Sequence, residues 1–190
     1  MILSIDPSLT HTAVLGVDEG TIKKTWMLAT NPSKDKFLTA SEKDAERIQY
    51  LVGELCRIIN TNKPELILAE QSLGATQSAV STKALALVAG AMTAMATIQY
   101  AGVPWQFIRV HDVKRAFLGK PNATKQQMIE EAARLYPELQ EAMRSNKAGV
   151  TWSGNAEHFA DAAAVYTAWK KMGNTIRGGH KWNTSSDVRT

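Results

Sequence analysis

Four of the first five residues are apolar, and Asp6-Pro7 then ends the run abruptly. Proline cannot donate to a continuing ladder, so residues 1–6 read as a short buried strand that delivers one carboxylate to its exit. A second apolar run, Glu65-Leu-Ile-Leu-Ala-Glu70, follows Pro64 and also ends in an acid. If the two strands lie parallel and adjacent, Asp6 and Glu70 emerge at one edge of the sheet, where open α/β sheets hold their ligands. Two carboxylates there repel each other, and a hard divalent cation is the natural compensation.

The six prolines (Pro7, Pro32, Pro64, Pro104, Pro121 and Pro137) fall between periodic segments and make the punctuation legible. Segments 12–17 and 21–29 flank Asp18-Glu19-Gly20, which predicts an antiparallel meander of the first three strands. Residues 41–59 carry Ile48, Leu51, Val52, Leu55, Ile58 and Ile59 at helical spacing, with Ser41 and Asp44 as an expected capping box. After the strand that ends at Glu70 and a polar loop over 71–80 comes a helix over 81–100, apolar or small nearly all round. Such a helix is expected to be buried on most sides, in the core or at a subunit interface. A fifth strand over 104–110, a short helix over 112–118 and a helix over 124–136 follow. Residues 137–154 are irregular, and Asn155 is expected to cap a last helix over 156–171. The order implies an α/β fold: a mixed five-stranded sheet, three strands antiparallel and then two parallel, with helices on both faces. One domain over 1–172 and a basic, flexible tail over 173–190 are the expected organisation, since 190 residues fill one core well.

The last helix contributes Glu157-His158-Phe159-Ala160-Asp161. His158 and Asp161, three apart, share a helical face, and Glu157 could take the place of His158 because it lies four residues from Asp161. Oxygen ligands with one imidazole suit Mg²⁺ or Mn²⁺ better than a structural zinc site, which would call for cysteines. No Walker loop, GxGxxG turn, HExxH or GxSxG is present.

Net charge is only +4, but it is unevenly spread. Residues 109–125 hold Arg109, Lys114, Arg115, Lys120 and Lys125 against Asp112, and residues 170–190 hold five basic residues against Asp187. The remainder is therefore net acidic, and the concentration of positive charge suggests a polyanion-binding face. The single cysteine, Cys56, excludes a disulfide framework within the chain. With no basic leader, it leads to an expected cytoplasmic location in a bacterial or phage-infected cell. The run 84–98 is read as too short and too rich in Ala, Gly and Thr to span a bilayer, so no membrane partner is expected.

These residues resemble the RuvC family of Holliday-junction resolvases, within the RNase H-like nucleases. Ile-Leu-Ser-Ile-Asp6-Pro-Ser is similar to the family's first strand and first catalytic aspartate. Leu-Ala-Glu70-Gln71 resembles its second acidic motif, and His158-Phe-Ala-Asp161-Ala resembles the motif of its final helix. Val113-Lys114 and Ala123-Thr124-Lys125 stand where the family has basic residues near the scissile phosphate. The resemblance covers about residues 1–170 in correct order. It implies a crossover junction endodeoxyribonuclease that hydrolyses phosphodiesters with two Mg²⁺ ions per site (Mn²⁺ substituting), held by Asp6, Glu70 and Asp161, with His158 either a further ligand or the group that orients the nucleophilic water. Lys114 and Lys125 would join the catalytic set and, with Gln71, Leu73, Arg109, Arg115 and Lys120, would contact DNA. A four-way junction has approximate two-fold symmetry, so the resemblance also implies a homodimer, with helix 81–100 as the candidate interface.

Two departures stand out. Where family members often carry a wedging aromatic three residues after the second acid, this chain has Leu73, and its tail runs past the family's usual end. A phage-type member that acts on several branched forms fits both. An RNA–DNA hybrid nuclease of the same fold and a catalytically silent branched-DNA-binding module are the alternatives. An actin-like ATPase would need two such lobes.

Overall fold

The computed structural model describes residues 1–71, 78–145 and 151–173. The strands are β1 (Ile2–Asp6), β2 (His11–Asp18), β3 (Thr21–Ala29), β4 (Leu66–Gln71) and β5 (Trp105–Arg109). The helices are α1 (Ala40–Asn62), α2 (Ala79–Ala94), α3 (Val110–Leu118), α4 (Lys125–Leu135), α5 (Gln140–Met143) and α6 (Ala156–Lys171). The sheet order is β3-β2-β1-β4-β5, with β1–β2 and β2–β3 antiparallel and β1–β4 and β4–β5 parallel. This is the mixed five-stranded sheet expected from the punctuation.

Strand alternation sorts the core into two layers. Leu3, Ile5, Val14, Ile67 and Ala69 pack with α1 and α2, whereas Ala13, Leu15, Leu66 and Leu68 pack with α3, α4 and α6. Even-numbered positions of β1 therefore face α6. Ser4, fully buried, donates from Oγ to the carbonyl of Ala162 at 2.7 Å and ties β1 to α6 near Asp6 and Asp161.

Several local readings change. The box that starts α1 is Thr39 with Glu42, not Ser41 with Asp44: Thr39 Oγ1 accepts the Glu42 N–H at 3.3 Å and Glu42 Oε2 accepts the Thr39 N–H at 2.7 Å. Both pairs have a hydroxyl followed by an acid three residues on, but the chain turns helical at Ala40, so only the earlier pair flanks free N–H groups. Asn155 precedes α6 with helical backbone angles and makes no side-chain cap, because that geometry turns its amide away from the first-turn N–H groups. The irregular stretch after Pro137 contains a 3₁₀ turn (Pro137–Leu139), α5 and an isolated bridge between Arg144 and Trp152.

The largest correction concerns α2. It continues through a π-helical turn (Met95–Gln99), yet only Val88, Met92 and Met95 are buried. Val80 and Ile98 are 79% and 80% exposed. The helix lies over one face of the sheet beside α1, so a single stripe is covered and nothing among the described residues covers the rest. Its burial within the core is excluded. The continuous helix Ala79–Gln99 extends the 84–98 run at both ends and is long and apolar enough, by length and composition alone, to cross a membrane.

Candidate active site

Asp6 is the last residue of β1, and its partner across the antiparallel ladder is Ala13. The chain leaves it through a turn locked by Thr12, whose Oγ1 accepts the Ser8 N–H at 3.0 Å and donates to the Ser8 carbonyl at 2.7 Å. Asp6 is 8% exposed. The parallel pairing of β1 with β4 runs to Ile5↔Ala69, so Asp6 and Glu70 stand one position beyond it, at the same sheet edge.

The first turns of α6 bring the other groups in. His158 Nδ1 lies 2.9 Å from Asp6 Oδ2, a contact between residues 152 apart in sequence. Asp161, one turn on, shares the same surroundings. Burial pushes its carboxyl up to about 7, the negative charge of Asp6 adds to the rise, and Lys114 and His158 oppose it. Burial also pushes Asp6 up, against the hydrogen bond from His158. The bond to Asp6 in turn raises the imidazole of His158, against its partial burial. The neighbouring Glu157 does not join the acids as a donor. Its Oε2 forms an ion pair with Lys125 Nζ at 2.6 Å, which raises the lysine's pKa.

Thus Asp6, His158 and Asp161 converge, Lys125 reaches the cluster through Glu157, and Lys114 acts on Asp161 through space. Glu70 borders a narrow cleft of about 30 Å³ with Pro7, Val88 and Met92. Among the described residues no three His, Cys, Asp or Glu stand close enough to hold a metal ion. Asp6 satisfies one of its carboxylate oxygens with His158. The chemistry of the donors still fits a hard cation. Two carboxylates, Asp6 buried and Asp161 partly so, both raised by desolvation, are sites whose ionised forms a divalent cation would stabilise.

The remaining expected contacts scatter more widely. Arg109 pairs with Asp112 at 2.9 Å and, with Gln71, Trp105, Phe107 and Trp169, lines a groove of about 590 Å³ along β5. None of Asp6, Glu70, His158 or Asp161 lines this groove. Arg115 and Lys120 are exposed on and after α3. Leu73 lies outside the described residues. One residue escaped the sequence reading. His11 opens β2, and its ring stacks on that of His158, centroids 5.5 Å apart and planes 19° from parallel. The signal was available, because His11 continues the period-two row Ala13, Leu15, Val17 towards the expected site.

No protein-family model matches the chain, and no curated protein sequence does. Solved structures do. Thermus thermophilus RuvC in complex with a Holliday junction substrate superposes with a TM-score of 0.63 at 19% identity, over 90% of this chain and 95% of that one. A second Thermus thermophilus RuvC structure gives 0.61 at 20% identity, over 90% and 96%. The yeast mitochondrial Holliday junction resolvase Ydc2 gives 0.61 at 15% identity, over 90% of this chain and 77% of that one. At such identities the likeness is one of fold, and what the topology and the superpositions together establish is that this chain is built on the RuvC form of the RNase H-like fold.

Proposed function

We propose that the chain is a divalent-metal-dependent endonuclease that nicks branched DNA and resolves four-way junctions by paired phosphodiester hydrolysis. The observation that carries this reading is the convergence of Asp6, His158 and Asp161 at the exit of β1, with Lys114 and Lys125 beside them. A binding surface for a polyanion has no use for buried acids, whereas phosphodiester hydrolysis does. The junction-bound RuvC structure shares the fold and supports the choice of substrate.

Asp6 and Asp161 would hold the cation, Mg²⁺ or Mn²⁺, with Glu70 at the same edge completing the set. When bound, the metal would supply Lewis-acid activation of the phosphate and of water. The chain's own groups do the rest. Lys114 and Lys125 hold phosphate oxygens and offset the charge that develops on them, and Lys125 exchanges Glu157 for phosphate as DNA arrives. His158 orients the Asp6 carboxylate through Nδ1. Arg109, Arg115, Lys120 and Gln71 take the flanking backbone. The uncovered face of α2 pairs two copies, which gives the two-fold arrangement that symmetric nicking requires.

The test is nicking of a labelled, immobile four-way junction against matched linear duplex and RNA–DNA hybrid, with Mg²⁺ or EDTA. Symmetric, Mg²⁺-dependent cuts confined to the junction are expected. Cutting of the hybrid instead would overturn the substrate. Binding with no cutting in any metal would favour the silent module.

A further inference from the structure

We infer that His11 is a positioning residue whose imidazole face fixes the ring of His158, and through it the Asp6 carboxylate. The inference rests on the site reading above and extends it to a residue outside the acid–lysine set.

The hydrogen bond between His158 Nδ1 and Asp6 Oδ2 constrains the imidazole at one edge only. The torsion that turns a histidine ring is broad, so a single in-plane bond leaves the ring free to rock about that contact. A second ring lying nearly parallel on its face removes that freedom, and His11 supplies one at 5.5 Å and 19°. With the plane set, His158 Nε2 stands 3.9 Å from Glu157 Oε1, the carboxylate whose other oxygen holds Lys125. Ring orientation therefore links Asp6, Glu157 and Lys125.

His11 is fit for this role because its own backbone is held on both sides. It pairs with Ala29 of β3, and the following residue, Thr12, closes the turn back to Ser8. Upstream, the carbonyl of Leu9 accepts from Arg47 Nη2 at 3.2 Å and from the Thr30 hydroxyl. A side chain that must aim another belongs on such a rigid element. Its direction follows from strand alternation, since Ala13, Leu15 and Val17 on the same row all face α6.

The test compares His11→Ala, which removes the face, with His11→Phe, which keeps a ring there and removes both nitrogens. The first readout is the ring nitrogen resonances of His158 in metal-free, ¹⁵N-labelled protein, assigned with a His158→Gln control. Wild type and His11→Phe should give one sharp set with Nδ1 in a hydrogen bond, and His11→Ala a broadened or shifted one. The second readout is junction cleavage, where turnover in His11→Ala should fall about tenfold at unchanged KM, with His11→Phe within about twofold of wild type. Unaltered His158 resonances in His11→Ala would overturn the inference, and so would a His11→Phe protein as impaired as His11→Ala. If the wild-type protein cuts no substrate, the proposed function fails, while the resonances still decide the role of His11.

Discussion

Asp161 offers the sharpest quantitative handle on the site. Its carboxyl titrates at about 7 against an ordinary 3.8, mainly because it is buried and secondly because Asp6 is close. The folded state keeps this proton until about pH 7, whereas the unfolded chain releases it near pH 4. Between those limits the folded state binds more protons, so the free energy of unfolding falls as pH rises, and the fall is complete above the folded-state value. At about 1.4 kcal/mol per unit the span corresponds to roughly 4 kcal/mol, and relaxation and water entry reduce the effective figure to about 2–4 kcal/mol. Asp6 and His158, both raised, push stability in the same direction. The Asp161→Asn substitution replaces the group that must ionise with a neutral one of the same shape. In EDTA it should therefore stabilise the protein, with an advantage over wild type that grows by about 2–3 kcal/mol between roughly pH 5 and pH 8. Urea unfolding at the two pH values measures this directly, and the corresponding gain in Tm at the higher pH is about 4–12 °C. Saturating Mg²⁺ should stabilise wild type more than the variant, because only a folded state with its carboxylates gains from the cation. Wild type and variant curves that run parallel across the pH range would refute the assignment of a desolvated, proton-retaining Asp161.

Four further outcomes follow from the same geometry. Asp6→Asn should lower junction cleavage by at least about 100-fold while mobility-shift binding persists; cleavage at the wild-type rate would remove Asp6 from the metal site. Lys125→Ala, at a side chain 79% exposed, should leave stability within about 0.5 kcal/mol of wild type. The same change should slow cleavage about 10–100-fold and flatten the salt dependence of binding by about one charge, which single-turnover assays and salt titrations would measure. Ser4→Ala removes the buried bond to the Ala162 carbonyl and should cost about 1 kcal/mol in urea unfolding, with a fall in cleavage as α6 loosens against β1. Val80→Asp with Ile98→Asp, both far exposed on the α2 surface, should leave the circular dichroism unchanged and shift sedimentation from dimer to monomer; an unaltered sedimentation coefficient would remove this face from the interface.

What the sequence by itself determined was the inventory of elements and the chemistry at their ends. Proline punctuation and two periodicities gave five strands in the correct order and the main helices, because these signals are local and repeat within a few residues. They also set Asp6 and Glu70 at strand exits and His158 and Asp161 on one helical face. Closely similar local signals misled where tertiary context chose between them. Ser41 and Asp44 fit a capping box as well as Thr39 and Glu42 do, and the apolar circumference of α2 did not reveal that, among the described residues, only Val88, Met92 and, in the following π-turn, Met95 are buried. The interactions that tune the site belong to tertiary structure alone. The His158–Asp6 bond, the Lys125–Glu157 pair, the His11 ring on His158 and the rise of Asp161 all join residues from separate elements. Proximity and desolvation at such a point depend on how the sheet and α6 pack in three dimensions, and no periodicity in the chain encodes them.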